Sequence, residues 1–492
     1  MAFDIVTDLR KRDGKGEGTL AEPIFTAIAK HLERSVYVDP GVMARLAEFV
    51  VMRRLGPPTR TKILCLLGPP GMGKGLIVRS LCEALSLRLI RIPVGEVRDE
   101  DETLLGRRRA DLNATAGRII HALQAVGPDE TVVLLEDIDR IDLGGVGNRS
   151  ADFFEALNYV QDYAIKNKYL ASPLDLSKAL FMATANNIAT VPPGVREGLE
   201  IVPLPSYTEE EKLKIARRYL IPDLAESYCL KGRVELSDRV LQTIVRKYTR
   251  EAGVGELRTN LKVIFQAGLR RIEKGVEGGR LRISTRNLSR YLGQPRFSSD
   301  TDHGQNEIGR VTVLGKSEKG GCPISLELLV MKGEGKLITT GNTDKMFQES
   351  ALVALDYIRS RHERFGIDED FYRKYDFHLH LQEGTVPKYG VSAGLAIVTA
   401  LVSGLTGRPV RRHVGMTGEI TLHGRVLGVR DVRDKVLAAY QAELKIVFIP
   451  KENERSIETL PSTMKRRMRI VPVETVESVL RDAIVWNEEE VL

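Results

Sequence analysis

The sequence predicts a multidomain α/β protein: an open, mostly parallel α/β sheet domain, a small α-helical subdomain, and an α+β C-terminal half. Three observations carry this. First, the apolar run KILCLL (62–67) opens onto the Gly-rich GPPGMGKG (68–75) and then onto GLIVRSLCEAL, whose apolar residues recur at three and four, so strand, loop and helix follow in order. Second, apolar strands recur at RLIRIP (88–93), TVVLLED (131–137) and ALFMATA (179–185), separated by amphipathic helical stretches, the signature of a parallel sheet. Third, GQPRFSSDTDHGQ (293–305) is polar, rich in Gly, Ser and Asp and without periodicity, and a second mixture of strands and helices starts after it. A chain of 492 residues also exceeds what one hydrophobic core accommodates.

In order along the chain, residues 1–60 read as a short, mainly helical N-terminal segment and 61–206 as the sheet domain. Residues 207–290 turn helical, with EEEKLKIARRYL and VGELRTNLKVIFQAGLRRIEKG, and 291–306 form the linker. Residues 307–492 mix strands (RVTVLG, ISLELLVM, FHLHLQ, LKIVFIP) with helices (MFQESALVALDYIRSRHERFG, SAGLAIVTALVSGLTG, DVRDKVLAAYQAE).

With 42% hydrophobic and 28% charged residues, and without an apolar run long enough for a bilayer, the chain reads as soluble. Its first residues lack the apolar centre of a secretory signal, so a cytoplasmic location is expected. Cys65, Cys82, Cys229 and Cys322 are too far apart for a CxxC metal or redox motif; they are expected to be reduced core thiols, and no metal site is predicted. The net charge of +7 gathers in RRR 107–109, VRRH 410–413 and KRRMR 465–469. No aromatic residues interleave with these clusters as stacking platforms for nucleic acid would, so solvated faces are the expected reading and nucleic-acid binding the weaker one.

Four stretches carry chemistry. Backbone N–H groups from Gly68 to Lys74, including Gly73, can cradle phosphate, with Lys74 supplying charge, but the hydroxyl that would ligate Mg²⁺ in G-x-x-x-x-G-K-[ST] is replaced by Gly75. The acidic strand end VVLLEDIDRI (132–141) presents Glu136-Asp137 rather than Asp then Glu. Ser392, in PKYGVSAGLAIVTALVSGLTG, stands at the start of a strongly apolar helix, where it is either a nucleophile beside an N-terminal oxyanion site or a helix N-cap. Lys435, in DVRDKVLAAYQA, is flanked by Val432, Val436, Leu437, Ala438 and Ala439, so it is either a desolvated general base or an ordinary surface lysine.

The stretches KILCLLGPPGMGKG, VGEVRDEDE, DLSKALFMATANN, PSYTEEEKLKIARRYLIP, KYTREAGVGEL, PKYGVSAG, VGMTGEITLHGRVLG and KIVFIPKENE occur in collinear order from 60 to 475. Together they resemble the Lon protease family, an AAA+ module with an α-helical lid followed by a Lon-type Ser/Lys peptidase domain. That family's catalytic lysine lies 43 positions beyond its serine, as Lys435 lies beyond Ser392. The resemblance implies Ser392 as nucleophile, Lys435 as base, Thr417 as the hydroxyl that orients the lysine, and Glu419 as part of the site. His378 and His380 fall where the family has histidines near the cleft, although a structural role on a half-buried strand is expected for at least one. A Ser-His-Asp triad is the competing reading, but no histidine lies in a segment that recommends it.

Asn186 matches the family's sensor-1 residue and, with Gly73 and Lys74, completes a degenerate nucleotide site. Departures fall on the ATPase parts: Gly75, the inverted Glu136-Asp137, Gly198 at the arginine-finger position with Arg196 two residues out of register, Gly255 at sensor 2, and Asp111 where an aromatic pore residue is usual. Beside the nucleophile, Tyr389 replaces an aspartate and Val391 a proline, a change expected to favour a constitutively active site. The resemblance implies a Ser/Lys endopeptidase that assembles as a homohexamer, and the five departures from it lead to the expectation of ATP-independent cleavage of unfolded proteins and peptides, with no cofactor required and the AAA+-like ring acting as a gate. Two alternatives stand beside it: a conventional ATP-dependent protease in which Glu136, Asp137 and Arg196 compensate, and a nucleic-acid or protein-binding remodeller with a vestigial peptidase half.

Overall fold

In the computed structural model the described residues are 21–55, 62–94, 131–140, 164–165, 174–175, 179–273, 280–297, 305–317, 319–382 and 390–486. Asp111, the cluster 107–109 and Tyr389 lie outside them, as does the side chain of Val391. The chain divides into two compact units, Met1–Tyr207 with Arg217–Ile221, and Thr208–Ala216 with Pro222–Leu492.

The first unit opens with helices α1 (Ala21–Ser35) and α2 (Pro40–Leu55). Its sheet contains β1 (Ile63–Leu67), β2 (Arg88–Pro93), β3 (Thr131–Glu136), β4 (Leu180–Ala185) and β5 (Leu199–Pro203), in the order β2-β3-β4-β1-β5 with every pairing parallel. Parallel strands covered on both faces read as continuous apolar runs, and β3 and β4 are buried almost throughout. Helix α3 (Lys74–Ala84) follows the Gly-rich loop, which turns into it through Gly71 (φ 80°) and Gly73 (φ 79°). Both are left-handed conformations that glycine adopts without strain. Strand β5 is not among the strands expected from the sequence; its residues, LEIVP, follow directly on Gly198 at the arginine-finger position.

In the second unit, α4 (Glu209–Ile215), α5 (Asp238–Tyr248) and α6 (Gly255–Glu273) make the expected helical subdomain, closed by a two-stranded parallel pair, β6 (Val234–Leu236) and β7 (Leu281–Ile283). Thr208 and Glu211 form a reciprocal capping box at the start of α4, and the Ser237 side chain caps α5. A seven-stranded mixed sheet follows. It comprises β8 (Arg310–Ser317), β9 (Gly320–Lys332), β10 (Leu337–Thr340), β11 (Tyr375–Leu381), β12 (Val414–Met416), β15 (Ile446–Pro450) and β16 (Arg469–Val473), ordered β10-β11-β9-β8-β12-β15-β16. A small antiparallel pair, β13 (Glu419–Ile420) and β14 (Val426–Leu427), stands apart from it.

Helices α7 (Lys345–Arg359), α8 (Gly394–Thr406), α9 (Val432–Gln441) and α10 (Val476–Ala483) accompany this sheet. Helix α8 is apolar around its whole circumference and is enclosed: Leu395, Ala396, Ile397, Val398, Ala400, Leu401 and Val402 are all fully buried. They form the centre of the core with Phe347, Tyr357, Phe377 and Leu379. The architecture is therefore multidomain α/β, with an α+β C-terminal half.

Cys65 and Cys82 are buried thiols as expected, but Cys229 is exposed and Cys322 only half-buried. Cys229 sits at φ 54° in the turn after a helix, which takes its side chain out of the core. The basic clusters within the described residues are tied locally: Arg411 Nε donates to Asp482 O, Arg412 Nε to His413 Nε2, and Lys465 Nζ to Glu458 O. No helix among the described residues is long and apolar enough to cross a membrane.

Candidate active site

Three elements of the C-terminal sheet domain converge on Lys435. Helix α9 buries Val436 and Ala439 completely and carries Lys435 inward, leaving it 4% exposed. The Lys435 Nζ donates to Thr417 Oγ1 at 3.0 Å. Thr417 is itself fully buried; its N–H donates to Phe448 O at 3.1 Å, and its hydroxyl lies 3.4 Å from Ser392 O. The neighbouring Gly418 N–H donates to Ser392 O at 3.0 Å, and Leu395 N–H donates to Gly418 O at 3.1 Å. The short segment 417–418 thus pins the turn that carries Ser392 against the helix that carries Lys435. Residues 392, 417 and 435 are brought together, linked through Thr417; among the described residues no direct Ser392–Lys435 hydrogen bond is formed.

Ser392 lies in the 3₁₀ turn Gly390–Ala393 immediately ahead of α8. The N-cap position is Ala393 and no side chain caps the helix, so the hydroxyl of Ser392 is not used as a cap. Burial pushes the Lys435 amine down from its ordinary 10.5 to about 8, with Lys316 lowering it further and Asp431 and Cys322 opposing. Lys316 is itself held by Asp431 at 2.7 Å and Asp434 at 3.6 Å. Those carboxylates therefore serve Lys316, and no carboxylate forms an ion pair with Lys435 among the described residues.

Gly321 was not singled out from the sequence. A Cβ there would stand 2.2 Å from Asp434 O and 2.9 Å from Lys435 N, so only glycine lets β9 approach the backbone of α9 this closely at Lys435. The Gly-Gly pair at 320–321 signals a tight hairpin, but not what packs against it. Glu419 begins β13 beside the Thr417–Gly418 segment. His378 Nε2 and His380 Nδ1 both bond Thr340 Oγ1, at 2.9 and 2.8 Å, across the β10–β11 ladder. Both histidines are engaged there, and no hydrogen bond joins either to Ser392 or Lys435 among the described residues. Thr417→Val, which keeps the shape and removes the oxygen that orients the amine, is expected to lower kcat by about ten- to a hundredfold with little change in KM, read from steady-state peptide cleavage.

In the first unit Gly73, Lys74 and Asn186 also come together. Lys74 Nζ donates to Gly68 O at 2.6 Å, Pro69 O at 3.1 Å and Asn186 Oδ1 at 2.7 Å, and burial lowers its pKa. Glu136 Oε1 accepts from Arg91 Nε at 3.1 Å and Nη2 at 2.8 Å, and a Cβ at position 75 would lie 3.5 Å from that same oxygen. Asp137 adopts φ 54°, and the Arg196 Nη2 donates to Val191 O at 3.0 Å. Gly198 ends the short helix Pro193–Glu197 and its carbonyl accepts from Ile63 N–H. No group of three or more His, Cys, Asp or Glu side chains among the described residues is placed to hold a metal ion.

Three family models match in the order the fold presents them. Residues 64–202 match the ATPase family associated with various cellular activities (AAA), 226–280 the Lon protease AAA+ ATPase lid domain, and 282–486 the Lon protease (S16) C-terminal proteolytic domain. The chain belongs to the Lon protease family. Its relatives include Lon protease 1 of Myxococcus xanthus, 40% identical over 447 residues, which cover 91% of this chain and 54% of the relative. Lon protease of Heliobacterium modesticaldum is 39% identical (90% and 54% covered), and Lon protease 1 of Bacillus subtilis 39% identical (91% and 58%). The chain spans about half the length of the curated relatives it matches. Helices α5 and α6 lie in the segment that matches the lid, and the mixed-sheet domain holding Ser392 and Lys435 lies in the segment that matches the Lon protease C-terminal proteolytic domain.

Proposed function

We propose that this Lon-family chain is a serine endopeptidase that cleaves unfolded proteins and peptides with a Ser392/Lys435 dyad, without ATP-driven work. The observation that carries the reading is the buried Lys435 amine, oriented by Thr417 and fastened through it to the Ser392 turn. A neutral lysine is a base at mild pH. Lys435 takes the Ser392 hydroxyl proton as the oxygen attacks the scissile carbonyl. The developing oxyanion faces the start of α8, where helix N–H groups and the positive end of the dipole stabilise it. Protonated Lys435 then delivers its proton to the leaving amine, the peptide bond breaks, and an acyl ester remains on Ser392. Water, deprotonated by the same amine, hydrolyses that ester and restores the dyad.

ATP independence is supported by the state of the nucleotide-site side chains. Phosphoryl transfer needs a metal ligand, a positioned acid and a cation on the developing charge at once. Position 75 offers no hydroxyl, Glu136 is occupied by Arg91, Lys74 is satisfied by three protein oxygens, and Arg196 bonds its own loop. These residues do not fit a hydrolysing Mg-ATP site, and the AAA+ module acts as a scaffold and gate of a homohexamer. The enzyme is expected to degrade an unfolded, casein-like fluorescent protein equally with and without Mg-ATP and to spare a stably folded domain. ATP-stimulated digestion of the folded domain would instead identify a conventional ATP-dependent protease.

A further inference from the structure

We propose that the lid positions the catalytic base: its loop 249–256 clamps the turn at residues 319–321, and that turn holds helix α9 and Lys435 in place. This rests on the dyad reading above. The contacts form a continuous chain within one compact unit. At the lid end Lys212, 1% exposed, extends its amine onto the carbonyl of Glu251. The Glu251 carboxylate accepts from Leu257 N–H at 2.8 Å, and Glu256 accepts from Arg250 N–H at 3.0 Å, so the loop is braced from both sides.

The braced loop grips the peptidase turn at two points. Ala252 N–H donates to Lys319 O at 2.6 Å, and Lys319 Nζ donates to Glu256 Oε1 at 2.7 Å. Between them Gly320, at φ 127°, lies so close to the loop that a Cβ on it would stand 2.8 Å from Ala252 Cβ. The next residue, Gly321, passes so close to α9 that a Cβ on it would stand 2.2 Å from Asp434 O and 2.9 Å from Lys435 N. On the partner strand Lys316, which pairs in register with Gly321, holds Asp431 and Asp434 at the start of α9. Displacement of the loop therefore has a direct mechanical route to the base, through two adjacent glycines. Gly255, which stands where sensor 2 would carry an arginine, begins α6 at the end of this loop. In this chain the segment grips the peptidase domain.

Loosening the turn admits water to Lys435, whose amine then returns toward its ordinary range. Among the described residues the charged and titratable groups that act on it are Asp431, just before α9, Lys316 from β8 and Cys322 from β9, while Asp434 is held by Lys316. None of them is altered by a change in the lid. Ala252→Leu is the informative variant, because it wedges loop and turn apart without changing any charge. It is measured with Lys319→Ala, a milder loosening that leaves the lid intact, and Lys319→Arg, which keeps the pair with Glu256. Two readouts serve: steady-state peptide cleavage, and the pH dependence of Ser392 labelling by a small fluorophosphonate, which does not depend on substrate passage.

Ala252→Leu and Lys319→Ala are expected to lower kcat, by about tenfold for the former, with KM unchanged, and to move the labelling midpoint to higher pH; Lys319→Arg should match the wild type. Unchanged kcat and midpoint in both loosened variants, with activity still abolished by Ser392→Ala, would overturn the proposal alone. So would a loss of activity with an unmoved midpoint, the mark of general structural damage. Cleavage that survives Ser392→Ala would overturn the dyad reading, and the positioning role with it.

Discussion

Alanine at Ser392 or at Lys435 is expected to reduce kcat/KM for an unfolded substrate by about a thousandfold or more, and the two losses should not add, because nucleophile and base act as one unit. The more discriminating variant is Lys435→Met. The amine is 4% exposed and its pKa lies near 8 rather than 10.5, so the folded state holds this proton less tightly than the unfolded chain does. The penalty is fully present below pH 8, where both states are protonated, and it is relieved as pH rises from about 8 to 10.5. A shift of that size corresponds to about 3 kcal/mol. Methionine fills the same apolar channel without the charge, so at pH 7 the variant should be inactive yet about 1–3 kcal/mol more stable, measured as a rise in the urea midpoint of the peptidase domain. An unchanged or lower midpoint would mean that the lysine's bond to Thr417 outweighs its desolvation.

The second large effect is on pH dependence. If neutral Lys435 is the base, kcat/KM should climb about tenfold per pH unit and level off above a midpoint near 8, leaving it about a hundredfold below the plateau at pH 6. A histidine base would place the midpoint near 6.5 instead. His378 and His380 are both bonded to Thr340, and among the described residues no hydrogen bond joins either to Ser392 or Lys435. The same titration on Thr417→Val separates orientation from acidity: a lower plateau with an unmoved midpoint indicates orientation, and a moved midpoint indicates that the hydroxyl also sets the pKa.

Much of this was legible in the residues. KILCLL, TVVLLED and ALFMATA read as buried parallel strands because continuous apolar runs have no other stable place in an α/β protein, and they are β1, β3 and β4. The strongly apolar SAGLAIVTALVSG reads as an enclosed helix, and α8 is the centre of the core. Short strands escaped notice: β5, β12, β13, β14 and β16 run two to five residues, too few for a period of two to stand out, and they are strands only because a neighbour pairs with them.

The sequence by itself determined the identity of the chemical groups: a serine ahead of an apolar helix, a lysine 43 positions on among aliphatic neighbours, and a phosphate loop without its hydroxyl. The acidity of that lysine was decided only in the tertiary structure. Its local pattern is equally that of a surface helix, and desolvation depends on what is packed against the helix from elsewhere in the chain. Here Thr417, from the segment after β12, meets the amine, and Gly321, whose missing side chain lets β9 pack against the backbone of α9, closes on the helix that carries it; neither is a neighbour of Lys435 in sequence. The same holds for Lys74 and Glu136, whose residue types announce a nucleotide site while their partners, Asn186 just after β4 and Arg91 on β2, are supplied from elsewhere in the sheet domain. Covalent order specifies which groups exist, whereas burial and pairing, which set their charge and reach, are properties of the fold.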